Sequence, residues 1–341
     1  MRFLDAAQGK PVDRTPVWFM RQAGRSLPEY RKLRERYSLT DIVAEPDLCA
    51  EVTLQPVRTL GVDAAVMFAD IMLPLRGMGV GVDLVEDVGP VIARPIRDVA
   101  GVAALREVGG EEAAPDVIAA VRRVVAESPV PVIAFCGAPF TLASYLIEGR
   151  PSRDFTKVKA FMYTQAEAFD ELLGKLARTM AAYLRAQVAA GASAVQVFDS
   201  WVGALALEDY EASVAPHTRT IFDELASTGV PRVHFGTNTA GLLEAIARTG
   251  PDVVSLDWRV PLDGGWERVG LERGVQGNLE PAVLLGPPEL VVERTRDVLR
   301  RAAGRPGHIF NLGHGVLPET PVANLQLVVE TVHAWVPQRV G

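Results

Sequence analysis

Arg21 and Arg25 stand on one short turn with Gln22, Ala23 and Gly24, directly after the apolar run Val17-Trp-Phe-Met20. A guanidinium presents a rigid fork of donors that matches carboxylate and phosphate, and it stays charged at physiological pH. Two of them on a turn of small residues suit a small ligand rich in such anions. The segment Arg14–Arg36 carries seven basic residues and two acidic ones, in a chain whose formal net charge is −7. The local charge therefore runs against the overall charge. An acidic chain disfavours nucleic acid as the partner, because that affinity comes largely from neutralised phosphates.

Other chemistry-bearing residues follow other apolar runs. Asp70 comes after Ala64–Phe68, and Gly137-Ala-Pro139-Phe-Thr141 follows Val130–Phe135, with Tyr145 one helical turn later. Asp199-Ser200, Gly236-Thr-Asn238, Asp257-Trp258, Asn278 with Glu280, and Gly313-His314-Gly315 stand in the same relation to Ala194–Phe198, Arg232–Phe235, Asp252–Leu256, Gly274–Gly277 and His308–Leu312. Polar ends on apolar bodies favour an enzyme over a structural protein.

With Val17–Met20 these runs make eight candidate strands. Stretches of helical periodicity lie between most of them, such as Pro115–Glu127, Thr239–Thr249, Pro288–Ala303 and Thr320–Ala334, and Gly61, Gly191, Gly250 and Gly304 stand where helices would stop. Eight strands alternating with helices predict a single (β/α)8 barrel over residues 1–341, whose active site would form at the carboxyl ends of the strands. An open doubly wound sheet is the alternative. Extra helices are expected near the N-terminus, one over Pro28–Tyr37, with a hairpin in Met78–Ile96 and two helices in Arg153–Gly191. The motif Gly77-x-Gly79-x-Gly81 lacks the strand-to-helix setting of a nucleotide loop. No run approaches the roughly 20 apolar residues of a membrane helix. The first ten residues lack the apolar core of a secretory signal, and Cys49 and Cys136 form neither a disulfide framework nor a clustered metal site. The expectation is a reduced cytoplasmic protein.

Met20-Arg-Gln-Ala-Gly-Arg-x-Leu-Pro-Glu-Tyr30 resembles the N-terminal signature of the uroporphyrinogen decarboxylases, and Gly137-Ala-Pro-Phe-Thr-Leu-Ala-Ser-Tyr-Leu-Ile-Glu-Gly149 resembles their second. Phe68-Ala-Asp70-Ile, Phe198-Asp-Ser200-Trp and Asn311-Leu-Gly-His314-Gly fall in the order that family shows, and the likeness runs from about Arg14 to the C-terminus. The resemblance implies a (β/α)8 barrel and a homodimer. It implies a decarboxylase without a cofactor or metal, acting on the four acetate side chains of uroporphyrinogen III, a macrocycle with eight carboxylates. It further implies Asp70 and Arg21 as catalytic groups. Arg21, Gln22, Ala23, Gly24, Arg25, Arg34, Asp70, Tyr145, Ser200 and His314 are implied to bind substrate.

Read without the resemblance, several of these residues keep a plainer role. Asp70 fits a helix cap or a barrel-mouth ion pair, Arg34 a solvated helix face, and Tyr145 and Ser200 buried, satisfied hydroxyls. Corrinoid-linked methyltransferases of the same superfamily hold zinc with a His-x-Cys pair and a later cysteine. Here His234-Phe-Gly236 occupies that place and no cysteine follows. No lysine stands at a strand end to form a Schiff base. A tetrapyrrole carrier, the non-enzymatic rival, would keep the arginines but have no use for Asp70.

Overall fold

The computed structural model describes residues 1–85 and 88–336. Its strands, in chain order, are β1 (Ala65–Val66), β2 (Val82–Val85), β3 (Gly89–Ile92), β4 (Val132–Gly137), β5 (Ala194–Asp199), β6 (Arg232–Gly236), β7 (Val253–Ser255), β8 (Gly274–Gln276) and β9 (His308–Ile309). Seven form one parallel sheet in the order β1-β4-β5-β6-β7-β8-β9, each joined to the next through helical segments. The strands are buried on both faces, which is why they read as continuous apolar runs.

The eighth stave is shorter than the sequence predicts. Within Val17–Met20 only Val17 makes a ladder bridge, to Phe310. Phe310 donates its N–H to the Pro16 carbonyl (2.9 Å), and on the other side Asp63 donates to Val17 (2.8 Å), so the segment closes the ring between β9 and the chain entering β1. Pairing stops there because side chains take over the next donors. Phe19 N–H donates to Gln22 Oε1 (3.0 Å) and Met20 N–H to Asn311 Oδ1 (3.1 Å). Pro16 has no N–H to extend the ladder backwards.

Helices cover the outside. Pro115–Glu127 forms as the periodicity predicts, with Val117, Ile118, Val121 and Val124 buried against the sheet and Pro115 starting the first turn. Gly191 adopts φ +110°, and a Cβ there would lie 2.8 Å from Val125, so the turn into β5 requires glycine. The helix expected over Pro28–Tyr37 ends at Arg34, because a capping box between Ser38 and Asp41 starts a new helix at Leu39. The Thr239–Thr249 segment is helical only over Leu243–Ala247. The hairpin within Met78–Ile96 is β2 paired antiparallel with β3. Residues 153–191 hold two helices, Thr156–Thr164 and Ala166–Ala189. Among the described residues no helix is long and apolar enough to cross a membrane.

Inside the barrel a buried polar layer crosses the axis: Trp18 Nε1 donates to Gln276 Oε1 (2.9 Å), and Gln276 Nε2 to Gln196 Oε1 (3.1 Å) and Ser255 Oγ (2.9 Å). Phe135, Phe198 and Phe235 form a second, aromatic layer, with edge-to-face contacts at 5.3 and 5.7 Å. These side chains fill the barrel and give the cavity at the strand ends a solid floor.

Candidate active site

A cavity opens at the carboxyl ends of the strands in two connected lobes of about 920 and 980 Å³. Arg21, Arg25, Asp70, Ser200 and His314 border both lobes. Tyr145 faces the first lobe, while Ala23, Gly24 and Arg34 face the second. Each lobe alone is at the upper end of small-molecule pockets, so the cavity has room for a large ligand.

The arginine turn is held by the one member that leaves the cavity. Gln22 is fully buried; besides capping Phe19 it donates to the Ala64 carbonyl (3.0 Å). Its side chain is thus a staple between the turn and the entry to β1, not part of the cavity wall. The turn places Arg21 at φ +60°, a left-handed conformation costing on the order of 1 kcal/mol in a residue with a Cβ. Gly24 has φ +86°, and a Cβ there would lie 2.7 Å from the Phe68 ring. Arg21 offers much of its area to the cavity, yet protein surrounds it. Burial, and then Arg25, lower its pKa, with Asp70 and Tyr145 opposing. Among the described residues neither Arg21 nor Arg25 has a hydrogen-bond or ion-pair partner, so two guanidinium forks are open to a ligand.

Asp70 follows β1 and caps its own turn, Oδ1 accepting from Met72 N–H (2.9 Å). Its second oxygen has no protein donor among the described residues. Burial raises its pKa despite the Met72 N–H and the charges of Arg21, Arg76 and Arg25. A carboxylate so enclosed acts strongly on any cation that forms beside it, because little water screens it.

Tyr145 lies on the helix Pro139–Glu148 and stacks on Trp201 with centroids 3.9 Å apart. Burial first and Asp70 second push its pKa up, so it is a neutral donor. Burial, followed by Arg21, Arg259 and Arg25, lowers the His314 pKa to about 4, leaving a neutral imidazole. Arg34 stands at the outer rim, donating to the Tyr37 carbonyl (2.8 Å).

Two acidic strand ends serve the frame instead. Asp199 is fully buried and accepts from Thr141 Oγ1 (2.8 Å), with His234 Nε2 at 3.7 Å. Asp257 is buried and ties the loop after β7. The sequence reading missed the floor. Phe68, Phe135, Phe198 and Phe235 all line the second lobe, and each stands within two residues of a strand-end polar or glycine residue. That recurrence was the available signal. Among the described residues no cluster of three or more His, Cys, Asp or Glu side chains is placed to hold a metal ion.

The model of the uroporphyrinogen decarboxylase family matches residues 1–335. A uroporphyrinogen decarboxylase of Thermus thermophilus is 55% identical over 330 residues, 96% of each chain. That of Carboxydothermus hydrogenoformans is 52% identical over 333 residues, 97% of this chain and 95% of the relative. Among solved structures, a methyltransferase from Methanosarcina mazei superposes with TM-score 0.81 at 19% identity, over 97% of this chain and 96% of its own, which shows a shared barrel fold. A B12-independent methionine synthase from Shewanella does so more loosely, with TM-score 0.59 at 12% identity over 87% and 89% of the two chains. Both signatures carrying the first resemblance lie on this cavity's walls, and with relatives this similar along nearly the whole length the chain belongs to the uroporphyrinogen decarboxylase family.

Proposed function

We propose that this chain converts the four acetate side chains of uroporphyrinogen III to methyl groups, giving coproporphyrinogen III in tetrapyrrole biosynthesis, with Asp70 and Arg21 at the centre of the chemistry. Each round exchanges one carboxylate for one proton: the acetate C–C bond breaks, carbon dioxide leaves, and the methylene carbon gains hydrogen. The electron pair left behind needs a sink, and a pyrrole protonated on a ring carbon supplies one. Its cation draws in the pair from the departing carboxylate, leaving an exocyclic methylene that a second proton converts to methyl as the ring-carbon proton departs.

Asp70 accepts the pyrrole N–H groups with its free oxygen and stabilises the ring cation. This charge is preorganised and poorly screened, which is where electrostatic catalysis is strongest. Arg21 grips the reacting acetate and relays the proton; burial and Arg25 make it more acidic than an ordinary guanidinium. Arg25, Arg34, neutral His314, Tyr145 and Ser200 hold the remaining side-chain carboxylates, each charge-assisted bond contributing about 1.5–3 kcal/mol. Ala23 and Gly24 supply close backbone approach, and Gln22 keeps the turn in place.

The observation that carries this reading is the half-free carboxylate of Asp70, standing in one large cavity with Arg21 and Arg25, which have no hydrogen-bond or ion-pair partner among the described residues. A carrier has no need of that carboxylate. The test is anaerobically prepared uroporphyrinogen with purified protein and products separated by carboxylate count. Asp70→Asn is expected to bind substrate and lose at least 100-fold in turnover, in line with loss of a preorganised stabiliser. Near-normal turnover in that variant overturns the assignment, and absence of coproporphyrinogen with the unaltered chain favours a carrier. The reading extends to a cytoplasmic homodimer of one catalytic barrel per chain, which sedimentation of the purified protein and cell fractionation test.

A further inference from the structure

We infer that Arg259 binds a propionate carboxylate of the substrate, at a position the reaction never touches. This rests on the proposed substrate and adds a residue that neither signature contains.

Arg259 follows β7 and lines the first lobe of the cavity with Asn238 and His314. Its placement is unusually constrained for an arginine whose side chain is 43% exposed. Nη1 donates to Asp257 Oδ2 (2.8 Å) and its backbone N–H to Asp257 Oδ1 (2.9 Å). The guanidinium carbon sits 3.9 Å from the centroid of the Trp258 ring, so one face of the fork is covered. Asn278 Nδ2 donates to the carbonyls of Asp257 (2.8 Å) and Val260 (2.7 Å), pinning the loop at both ends of the dipeptide. The same Asp257 accepts from Asn238 N–H (2.6 Å). A Cβ at Gly313 would lie 2.4 Å from Trp258 N, so this loop and the one bearing His314 touch backbone to backbone.

Nε and Nη2 of Arg259 have no acceptor among the described residues. A fork with one edge anchored, one face stacked and its other donors open is preorganised for a planar acceptor. Asp257 neutralises much of its charge, so the gain is directional hydrogen bonding more than long-range attraction. Arg259 lines the first lobe alone, whereas Asp70, Arg21 and Arg25 border both lobes, where the two meet. It therefore serves a carboxylate remote from the reacting one. A group used in all four rounds must hold a carboxylate that survives all four, and only the propionates do.

The test is steady-state decarboxylation of uroporphyrinogen and of the pentacarboxylate intermediate by Arg259→Gln. Because this variant takes the guanidinium partner from the buried Asp257 carboxylate, Asp257→Asn/Arg259→Gln is made alongside, with melting curves for both. In whichever variant folds, KM is expected to rise roughly tenfold for both substrates with kcat within about twofold, as loss of a uniform binding interaction requires. An unchanged KM overturns the inference, whatever happens to kcat. A rise confined to one substrate overturns the propionate assignment. Absence of decarboxylation by the unaltered chain refutes the proposed function instead, so the two failures are distinguishable.

Discussion

Gly315 lies so close to Arg21 that a Cβ on it would stand 2.4 Å from Arg21 Cδ and 2.8 Å from Cγ. The loop after β9 thus leaves a slot through which the arginine stem reaches the cavity, and Val316 N–H donating to the Met20 carbonyl (2.9 Å) locks the two loops together. Gly315→Ala is expected to displace the Arg21 head without unfolding the barrel. Its turnover should fall at least tenfold, since misplacing a catalytic group by about 1 Å can cost 100-fold. A variant with normal turnover and normal melting would show that Arg21 need not occupy this position.

Arg21 and Arg25 both lack a partner among the described residues, but Arg21 acts more strongly on Asp70 than Arg25 does. Arg25→Ala should chiefly raise KM, by roughly tenfold for one charge-assisted contact. Arg21→Ala should raise KM and also lower kcat, because the proposed function sets the same group against the reacting acetate. Steady-state kinetics on the two variants separates these patterns. Equal kcat losses in both would remove the distinction.

Much of this arrangement is legible in the sequence. Apolar runs closed by glycine at helix ends mark strands and helices because burial and left-handed backbone each leave a plain trace in residue type, as at Gly191 and Gly61. Asp70 and His314 were readable as strand-end polar groups, and Tyr145 as a residue one helical turn beyond a strand end, because the barrel puts those positions on one face. Gln22, which the resemblance implies as a substrate contact, turns its side chain into the protein. Nothing in its type says that its amide is spent on Phe19 and Ala64, since side-chain direction on an irregular turn has no period to follow. Arg259 was missed for a related reason. Its role depends on Asp257, Trp258 and Asn278, which tertiary packing brings around it.

His314 and His308 both have their pKa lowered to about 4, chiefly by burial, whereas an unfolded histidine titrates near 6.5. Both are neutral in the fold at pH 7. Between pH 6.5 and 4 the unfolded chain binds more protons than the folded one, so acidification through that window lowers stability, and above it these groups contribute no slope. Denaturant unfolding at pH 7, 6 and 5 should show the decline, and His308→Gln should flatten it. Magnetic-resonance titration of His314 in the free protein should show a midpoint near 4. A midpoint near 6.5 would mean the imidazole is not buried, with cations around it, as the structure has it.

Thr141 links the buried acid of β5 to the aromatic wall. Its hydroxyl donates to Asp199 Oδ1 (2.8 Å) and accepts from Trp201 N–H (3.2 Å), and the Trp201 ring in turn stacks on Tyr145. Thr141→Val keeps the shape and removes both bonds, leaving the Asp199 side chain, among the described residues, with His234 at 3.7 Å alone. The loss should be about 2 kcal/mol, because a buried carboxyl loses its hydrogen-bond donor. Released from its anchor, Trp201 no longer fixes the Tyr145 ring, so KM should rise as well. Thr141→Ser retains the hydroxyl and should restore both stability and KM. If valine and serine behave alike in denaturant titration and in kinetics, the methyl packing of Thr141 matters and its hydroxyl does not.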